Sequence, residues 1–523
     1  MTQDGSDARV AQQAGDLAVG EDGHQHGGSI PKLETGIAGF DDMTMGGIPR
    51  RRATVLAGQA GSAKTVFSGQ FLAEGVRRGQ PGVFVTLEEP ADDLRENLST
   101  LGCDIAGWER AGDWRFVDAS PLMRLGPDGQ ARVEPYRIET LVAQIGHAVD
   151  ATGAQRLVLD SLNAMLALQD DPRIARQALR SLIGSLRGLG LTVMLTVETP
   201  ADPGTALSSY GIEEFVADNV VLLHNVLEGR VRRRTVEVLK MRGAMHHRGE
   251  VPFTVLPGQG VVVLPMTRQH VETPDPTRVT SGDPAFDEML RGGFFTASVA
   301  LIAGPTGTGK SMLATQFLGG ACENGERALL FAFEESRGQV LRSAAGWGRD
   351  FAGWERDGLL HIAASYPDVA SLDDHLVQIQ EVVRRFRPAR VAVDSLSALE
   401  RLGTNESYRE FVTRLTAFLK QEQVLTMVTV SSSALLGGTS VAEGHISPLT
   451  DAIVLLRYAE VAGSVRRAVA VIKLRGSGHD ERIRQFTIGS QGLELAGAFD
   501  TVTGILSGHP VPFLDGRSSA ASR

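Results

Sequence analysis

Cysteine is nearly absent: Cys103 and Cys322 are the two in 523 residues, and they stand far apart in the chain. Neither a disulfide framework nor a paired-cysteine zinc module can be built from them, which fits a reducing cytoplasm. Basic residues are in deficit, with 52 Lys and Arg against 62 Asp and Glu and a formal net charge of −10. That balance argues against a phosphate backbone as the main partner. No apolar run approaches the roughly 20 residues that span a bilayer. The polar, acidic N-terminus also lacks the basic segment and apolar core of a secretory signal. The expected location is the cytoplasm, without membrane association. Hydrophobic content of 42% and charged content of 22% are ordinary for a soluble globular chain. The length exceeds one compact core, so two or more domains are expected.

Residues 1–30 are rich in Gly, Asp, Gln and His, lack periodicity and read as a disordered leader. His24 and His26 within it are too few ligands for a dedicated metal site. From Pro31 the chain says much the same thing twice. Thr35-Gly36-Ile37-Ala38-Gly39-Phe40-Asp41, Gly46-Gly47 and VLAGQAGSAKT are followed later by Ser281-Gly282-Asp283-Pro284-Ala285-Phe286-Asp287, Gly292-Gly293 and LIAGPTGTGKS. The same offset separates Lys64 from Lys310, Glu88 from Glu334 and Trp108 from Trp354. So long a period means a duplicated domain. Domains are expected at 31–266 and 277–510, joined through the proline-broken TRQHVETPDP, with a flexible tail at 511–523.

Within each copy, near-continuous Val/Ile/Leu runs alternate with amphipathic segments. RATVLAG, GVFVTLEE, RLVLDS and TVMLTVE in the first copy answer SVALIAG, ALLFAFEE, RVAVDS and VLTMVTV in the second. This pattern predicts an α/β fold, a mainly parallel sheet covered by helices on both faces. Alternating segments closing each copy predict an antiparallel extension at the sheet edge.

The second copy holds the sharpest motif. Gly304-Pro305-Thr306-Gly307-Thr308-Gly309-Lys310-Ser311 lies between a predicted strand and a predicted helix, the context of a phosphate-binding loop. Backbone N–H groups there would close around phosphate oxygens, Lys310 would reach the β- and γ-phosphates, and the Ser311 hydroxyl would ligate Mg²⁺. Its sister reads Gly58-Gln59-Ala60-Gly61-Ser62-Ala63-Lys64-Thr65, with Ala63 where glycine is usual. If that position needs a left-handed backbone, the Cβ costs about 1–2 kcal/mol, and ATP is still expected to bind with altered affinity. Asp160 and Asp394, each ending a strand before Ser-Leu, are expected to orient Mg²⁺. Metal ligation is thus expected from Thr65 and Asp160, and from Ser311, Glu334 and Asp394. Glu88-Glu89 and Glu334-Glu335 would close the next strand, and alternation there would turn one of each pair toward the phosphate as the catalytic carboxylate. Lys240-Met241-Arg242 and Lys473-Leu474-Arg475 would share a strand face and neutralise developing phosphate charge, in trans if the protein is a ring. Arg230, Arg232, Arg233 and Arg234 read as a solvated face.

Two tandem cassettes carrying Glu-Glu, Val-Asp-Ser or Leu-Asp-Ser, and Lys-x-Arg-Gly in this order resemble the KaiC family of circadian-clock ATPases and autokinases, within the RecA-like class. The resemblance runs from about Pro31 to Pro510. It implies a two-tiered homohexamer with ATP and Mg²⁺ at subunit interfaces, a first ring that hydrolyses ATP and meets a KaiB-like partner, and a second ring that phosphorylates itself. It assigns the first nucleotide to Gly58, Gly61, Ser62, Ala63, Lys64 and Thr65, with Lys240, Met241, Arg242 and His246 across the interface. The second falls to Thr306, Gly307, Thr308, Gly309, Lys310, Ser311, Trp347 and Arg467, with Lys473, Leu474, Arg475, Ser477 and His479 on the trans face. The catalytic carboxylates are then Glu88, Glu89, Glu334 and Glu335.

One departure narrows the kinase reading. The family carries an adjacent Ser-Thr acceptor pair where this chain has Ser447-Pro448. Proline has no hydroxyl, so a two-step cycle through both positions is excluded, and Ser447, or a nearby hydroxyl such as Thr450, is the expected acceptor. The tail ending LDGRSSAASR is short, which weighs against a KaiA-like partner. Two other readings compete: a nucleic-acid-dependent ATPase on the same fold, and a nucleotide-gated scaffold without kinase activity. The acidic balance and the lack of an aromatic-plus-basic strand groove weigh against the first.

Overall fold

The computed structural model describes residues 30–120, 123–125, 131–133, 138–166, 171–199, 216–228, 231–265, 275–431, 446–461, 463–490, 492–499, 502–503, 505 and 511–512. The leader with His24 and His26, Arg230, the junction 266–274 and the end of the tail lie outside the described residues.

Each copy is organised on one wholly buried strand. Ala53–Gly58 is apolar or small at five of its six positions and runs parallel to Thr192–Glu198 on one side and Asn219–Glu228 on the other. Val299–Gly304 lies in the same way between Leu425–Ser431 and Ala452–Val461. Around each, a nine-stranded sheet extends. In the first copy, Arg156–Asp160, Gly82–Thr86 and Trp114–Asp118 continue the parallel part, and Val231–Met241, Glu250–Leu256 and Gly260–Val263 form the antiparallel edge. The second repeats this, with Arg390–Asp394, Ala328–Ala332 and Leu360–Ala364 on one side, and Ser464–Leu474, Arg484–Gly489 and Gly492–Ala498 on the other. The parallel mainly-buried sheet and its antiparallel extension agree with the expectation from sequence.

Both faces are covered. Val83 and Val85 enter one core while Phe84 enters the other with Phe67, Phe71 and Trp114, as alternation along a strand requires. Helices supply the cover by the longer period. Leu372–Phe386 buries Leu372, Leu376, Ile379 and Val383. Its start is specified locally, because Ser371 Oγ accepts from the Asp374 N–H while the Asp374 carboxylate accepts from the Ser371 N–H. Such a cap is worth about 1 kcal/mol. Trp114–Asp118 and Leu360–Ala364 were not legible as strands. At a sheet edge their Arg115, Asp118 and His361 interrupt the apolar run that marks the inner strands. Of the segment read as a flexible tail, Val511–Pro512 is described and pairs with Val502–Thr503.

The copies meet through charge as well as apolar contact. Leu264 joins a core of the second copy, and Arg414 donates to its carbonyl. Within the arginine run Arg232 is exposed, as expected from sequence, whereas Arg233 corrects the reading of a solvated face. Arg233 is only 16% exposed, and its guanidinium binds Asp373 at 3.1 Å and Glu410. Arg232 donates to the Asn225 carbonyl and Arg234 to the Gly61 carbonyl. Charge alone could not reveal this, because the acids that bury Arg233 lie more than a hundred residues away. Among the described residues no helix is long and apolar enough to cross a membrane.

Candidate functional site

Each loop opens where its buried strand ends and the next helix begins, at Lys64–Arg77 and Lys310–Glu323. The first glycine lies against a neighbouring strand: a Cβ on Gly58 or Gly304 would stand 2.5 Å from the Leu223 carbonyl oxygen or 2.3 Å from that of Leu456. Lys64 Nζ donates to the carbonyls of Gly58 and Gln59 at 2.8 and 2.9 Å. Lys310 Nζ does the same to Gly304 and Pro305 at 2.8 and 3.0 Å. Burial lowers the pKa of both ammonium groups, against the pull of Glu198, Asp160 and Glu88 on Lys64 and of Asp394 and Glu334 on Lys310. Each lysine thus closes its own loop and is held by groups that a phosphate would replace. Thr308 Oγ1 donates to the Pro305 carbonyl, whereas Ser62 Oγ is buried with no hydrogen-bond partner. Thr306 and Gly307 form the exposed lip of the second loop.

The residue before each lysine is left-handed, with φ 70° at Ala63 and 111° at Gly309. The condition set on Ala63 is therefore met, and its Cβ carries the left-handed cost of about 1–2 kcal/mol. Ala63→Gly removes that strain but returns about 0.4–1 kcal/mol of freedom to the unfolded chain. We expect a net gain of about 1 kcal/mol in the denaturant-unfolding transition of the first copy; a loss of stability would show that the Cβ contributes packing. Gly309→Ala should act oppositely, since its Cβ would lie 3.0 Å from Ile488 Cδ1 in addition to the strain.

The acids converge on the hydroxyl that follows the lysine. Thr65 Oγ1 donates to Asp160 Oδ2 at 2.8 Å, and Thr196 Oγ1 donates to Oδ1. In the second copy Ser311 and Thr429 donate to Asp394 in the same way, while burial holds that carboxyl above its usual range. Hydroxyl and carboxylate together make an oxygen donor set suited to a hard divalent cation, so the residues present fit Mg²⁺.

The glutamates require a correction. The strands stop at Thr86 and Ala332, so Glu88-Glu89 and Glu334-Glu335 lie beyond them, in bends where strand alternation does not apply. Hydroxyls orient one of each pair instead. Ser161 Oγ donates to Glu88 at 2.7 Å and Ser395 Oγ to Glu334 at 2.6 Å. The other glutamate has its carboxyl pushed up by burial first, then by neighbouring acids: Asp160, Asp93 and Glu88 for Glu89, and Asp394 and Glu334 for Glu335. Glu335, Ser311, Asp394 and Trp347 line one small cleft.

Lys-x-Arg-Gly also differs from expectation. The strands end at Met241 and Leu474, so Arg242 and Arg475 stand in the following turn and share no strand face with the lysines. Leu474 is level with Ala452, which is level with Ala300, four residues before Gly304. At ~3.3 Å per residue that lies about 13 Å behind the loop. Met241, through Asn219 and Thr54, lies equally far behind Gly58. Both clusters thus lie at the opposite end of the strands from their own loop. Lys473 Nζ donates to the carbonyls of Ser447 and Thr450, and Arg475 to that of Pro448. Lys240 Nζ donates to the Ala217 carbonyl. Nearby, His246 Nδ1 is buried without a partner, Ser477 donates to the Gly478 carbonyl, and His479 Nδ1 lies 3.3 Å from the Asp480 carbonyl. Arg467, by contrast, lies on the loop's own side, its guanidinium 5.7 Å from the Tyr458 ring, whose hydroxyl faces Gly307.

Sequence reasoning missed Ser161, Ser395, Thr196 and Thr429 as the groups that orient the acids. A signal existed, because each threonine is the fifth residue of its strand and each serine follows its aspartate. Tyr458 carried no such signal.

A family model described as a KaiC ATPase matches residues 33–268 and again 279–498. The chain is 48% identical over 484 residues to the circadian clock protein KaiC3 of Synechocystis sp., covering 92% of this chain and 95% of the other. It is 42% identical over 497 residues to the circadian clock oscillator protein KaiC of Synechococcus elongatus, with 95% of each chain covered. The KaiC of Thermosynechococcus vestitus is 42% identical over 488 residues, with 93% of each covered.

Proposed function

The chain belongs to the KaiC family of ATPases, and from that premise we propose that it is a ring-forming clock-type signalling ATPase whose second domain phosphorylates its own Ser447. Its working form in this reading is a homohexamer of tandem domains, 31–266 and 277–510, in the cytoplasm. ATP lies at each subunit interface: Lys64 and Lys310 bind phosphate from one side, Lys240 with Arg242 and Lys473 with Arg475 from the other. Thr65 with Asp160, and Ser311 with Glu334 and Asp394, would hold Mg²⁺, which when bound would supply neutralisation of phosphate charge. Glu89 and Glu335 accept the proton of the attacking group, while Glu88 and Glu334 brace the acidic cluster. At the first site the attacking group is water. At the second, the Ser447 hydroxyl attacks the γ-phosphorus, its proton passes to Glu335, and the bond to the ADP oxygen breaks. A KaiB-like protein at the first domain is the partner the resemblance offers; nucleic acid is no partner in this reading.

The observation that carries the proposal is the placement of Lys-x-Arg-Gly at the end of the sheet's strands opposite its own loop. Ser447 sits there too, because its carbonyl accepts from Lys473 Nζ. On this reading a neighbouring subunit, rather than the same one, completes each site. Thr450 is a poorer acceptor than Ser447: it is 0% exposed, and its hydroxyl donates to the Ser447 carbonyl. The test mixes Lys310→Ala subunits, which keep the acceptor, with Ser447→Ala subunits, which keep the loop. After incubation with Mg·ATP, mass spectrometry is expected to find phosphate on Ser447 of the Lys310→Ala chains and on neither protein alone. Absence of phosphate in the mixture overturns trans transfer, and phosphate on Thr450 overturns the choice of acceptor.

A further inference from the structure

The antiparallel edge of the first copy holds a cluster that nucleotide chemistry does not use. His224, Glu237 and Glu250 come from three successive strands, Asn219–Glu228, Val231–Met241 and Glu250–Leu256. Glu237 stands directly opposite Glu250, and His224 is two residues beyond Leu222, the other partner of Glu237. All three side chains therefore share one face. One ligand atom from each lies within 4.8 Å of the others.

Two features are unfavourable if nothing joins these groups. Like charges directly opposite across an antiparallel pair repel, yet Glu237 and Glu250 occupy that relation. The His224 side chain is 32% exposed, but its Nε2 atom is enclosed with no hydrogen-bond partner; it stands 3.7 Å from Glu237 Oε2, an ion pair only when the imidazole is protonated and beyond hydrogen-bond reach when it is neutral. A divalent cation between them would resolve both, since it takes the imidazole lone pair and balances two carboxylates. Ligands about 2.0–2.2 Å from a tetrahedral ion lie roughly 3.3–3.6 Å apart, so closure by about 1 Å, within side-chain torsion, completes the set. The Thr235 hydroxyl donates to Glu250 Oε2 at 2.6 Å and so orients that carboxylate, the outer-shell support that metal ligands commonly carry.

We propose that His224, Glu237 and Glu250 form a site for a divalent transition ion of the zinc, cobalt or nickel class. Imidazole in the set selects for these over Mg²⁺. Three protein ligands leave a position open, and two of them, Glu237 and Glu250, line the cleft of about 890 Å³ between this sheet edge and the helix Asn405–Gln421 together with Arg248 and Arg409. The ion ties three strands together beside the contact between the two copies.

The test uses the full chain in Mg·ATP, with both nucleotide sites loaded, titrated with Co²⁺ alone and followed by visible absorption. One equivalent with the intense band of a low-coordinate site is expected. Its affinity should fall at least 10–100-fold in His224→Ala and in Glu237→Gln, and should survive His24→Ala/His26→Ala, which removes the leader histidines. Unchanged Co²⁺ affinity in both ligand variants, or no such band in the parent protein, overturns the site. Unfolding curves recorded without Co²⁺ establish that the variants fold. Should His224→Ala not fold, Glu237→Gln, which keeps size and hydrogen bonding, decides the question alone. ATP hydrolysis is expected to be unchanged in either variant, so this outcome is independent of the nucleotide sites.

Discussion

Glu89→Gln is expected to lower ATP hydrolysis at the first site by about 10²–10⁴-fold, the range a positioned general base supplies. Glu88 is already engaged by the Ser161 hydroxyl, and in the proposed function its neighbour accepts the proton of the attacking water. The Glu89 carboxyl is raised by burial and then by Asp160, Asp93 and Glu88. A raised carboxyl is a stronger base once ionised. The rate depends on the ionised form, so it should fall as pH falls through that raised value, with an acid limb above the ordinary glutamate pKa. Phosphate release measured from pH 4.5 to 8, with the second site silenced by Glu335→Gln, reports both effects. Nucleotide affinity should change little, because glutamine keeps the size and polarity of the side chain. Full hydrolysis by Glu89→Gln alongside its loss in Glu88→Gln would reverse the two roles.

Arg233→Ala should cost about 3 kcal/mol at neutral pH, the lower end for removing one partner of a buried charge set. Asp373 is 6% exposed and depends on this guanidinium; Glu410 retains Arg414 at 2.6 Å, which is why the lower end applies. Burial pushes the Asp373 carboxyl up to about 6 even against the pull of Arg233. A folded pKa above the unfolded value contributes stability that is fully present below about 3.8 and lost as pH rises through about 6. Without Arg233 that carboxyl rises further and takes up its proton more readily. The difference between variant and parent should therefore shrink from pH 7.5 to pH 5. Denaturant unfolding at the two pH values checks this, and Asp373→Asn in the Arg233→Ala background should recover part of the loss. A cost below about 0.5 kcal/mol at pH 7.5 would place the pair with surface ion pairs.

What the sequence determined by itself is local or repeated. The inner strands are continuous apolar runs because both faces of a parallel sheet are buried, and each loop is a contiguous run of residues whose conformation depends on its own glycines. Asp160 and Asp394 were legible for the same reason, as strand-end acids written twice. Tertiary structure decided whatever depends on where distant segments fall beside one another. It ended the strands before the glutamates and handed their orientation to Ser161 and Ser395. It set Lys240 and Lys473 about 10 Å behind their own loops by strand register, and buried Arg233 against Asp373 and Glu410. It also gathered His224, Glu237 and Glu250 from three strands onto one face. Periodicity records which face of an element is buried, but it holds no information on the register between strands or on which distant charge will meet which.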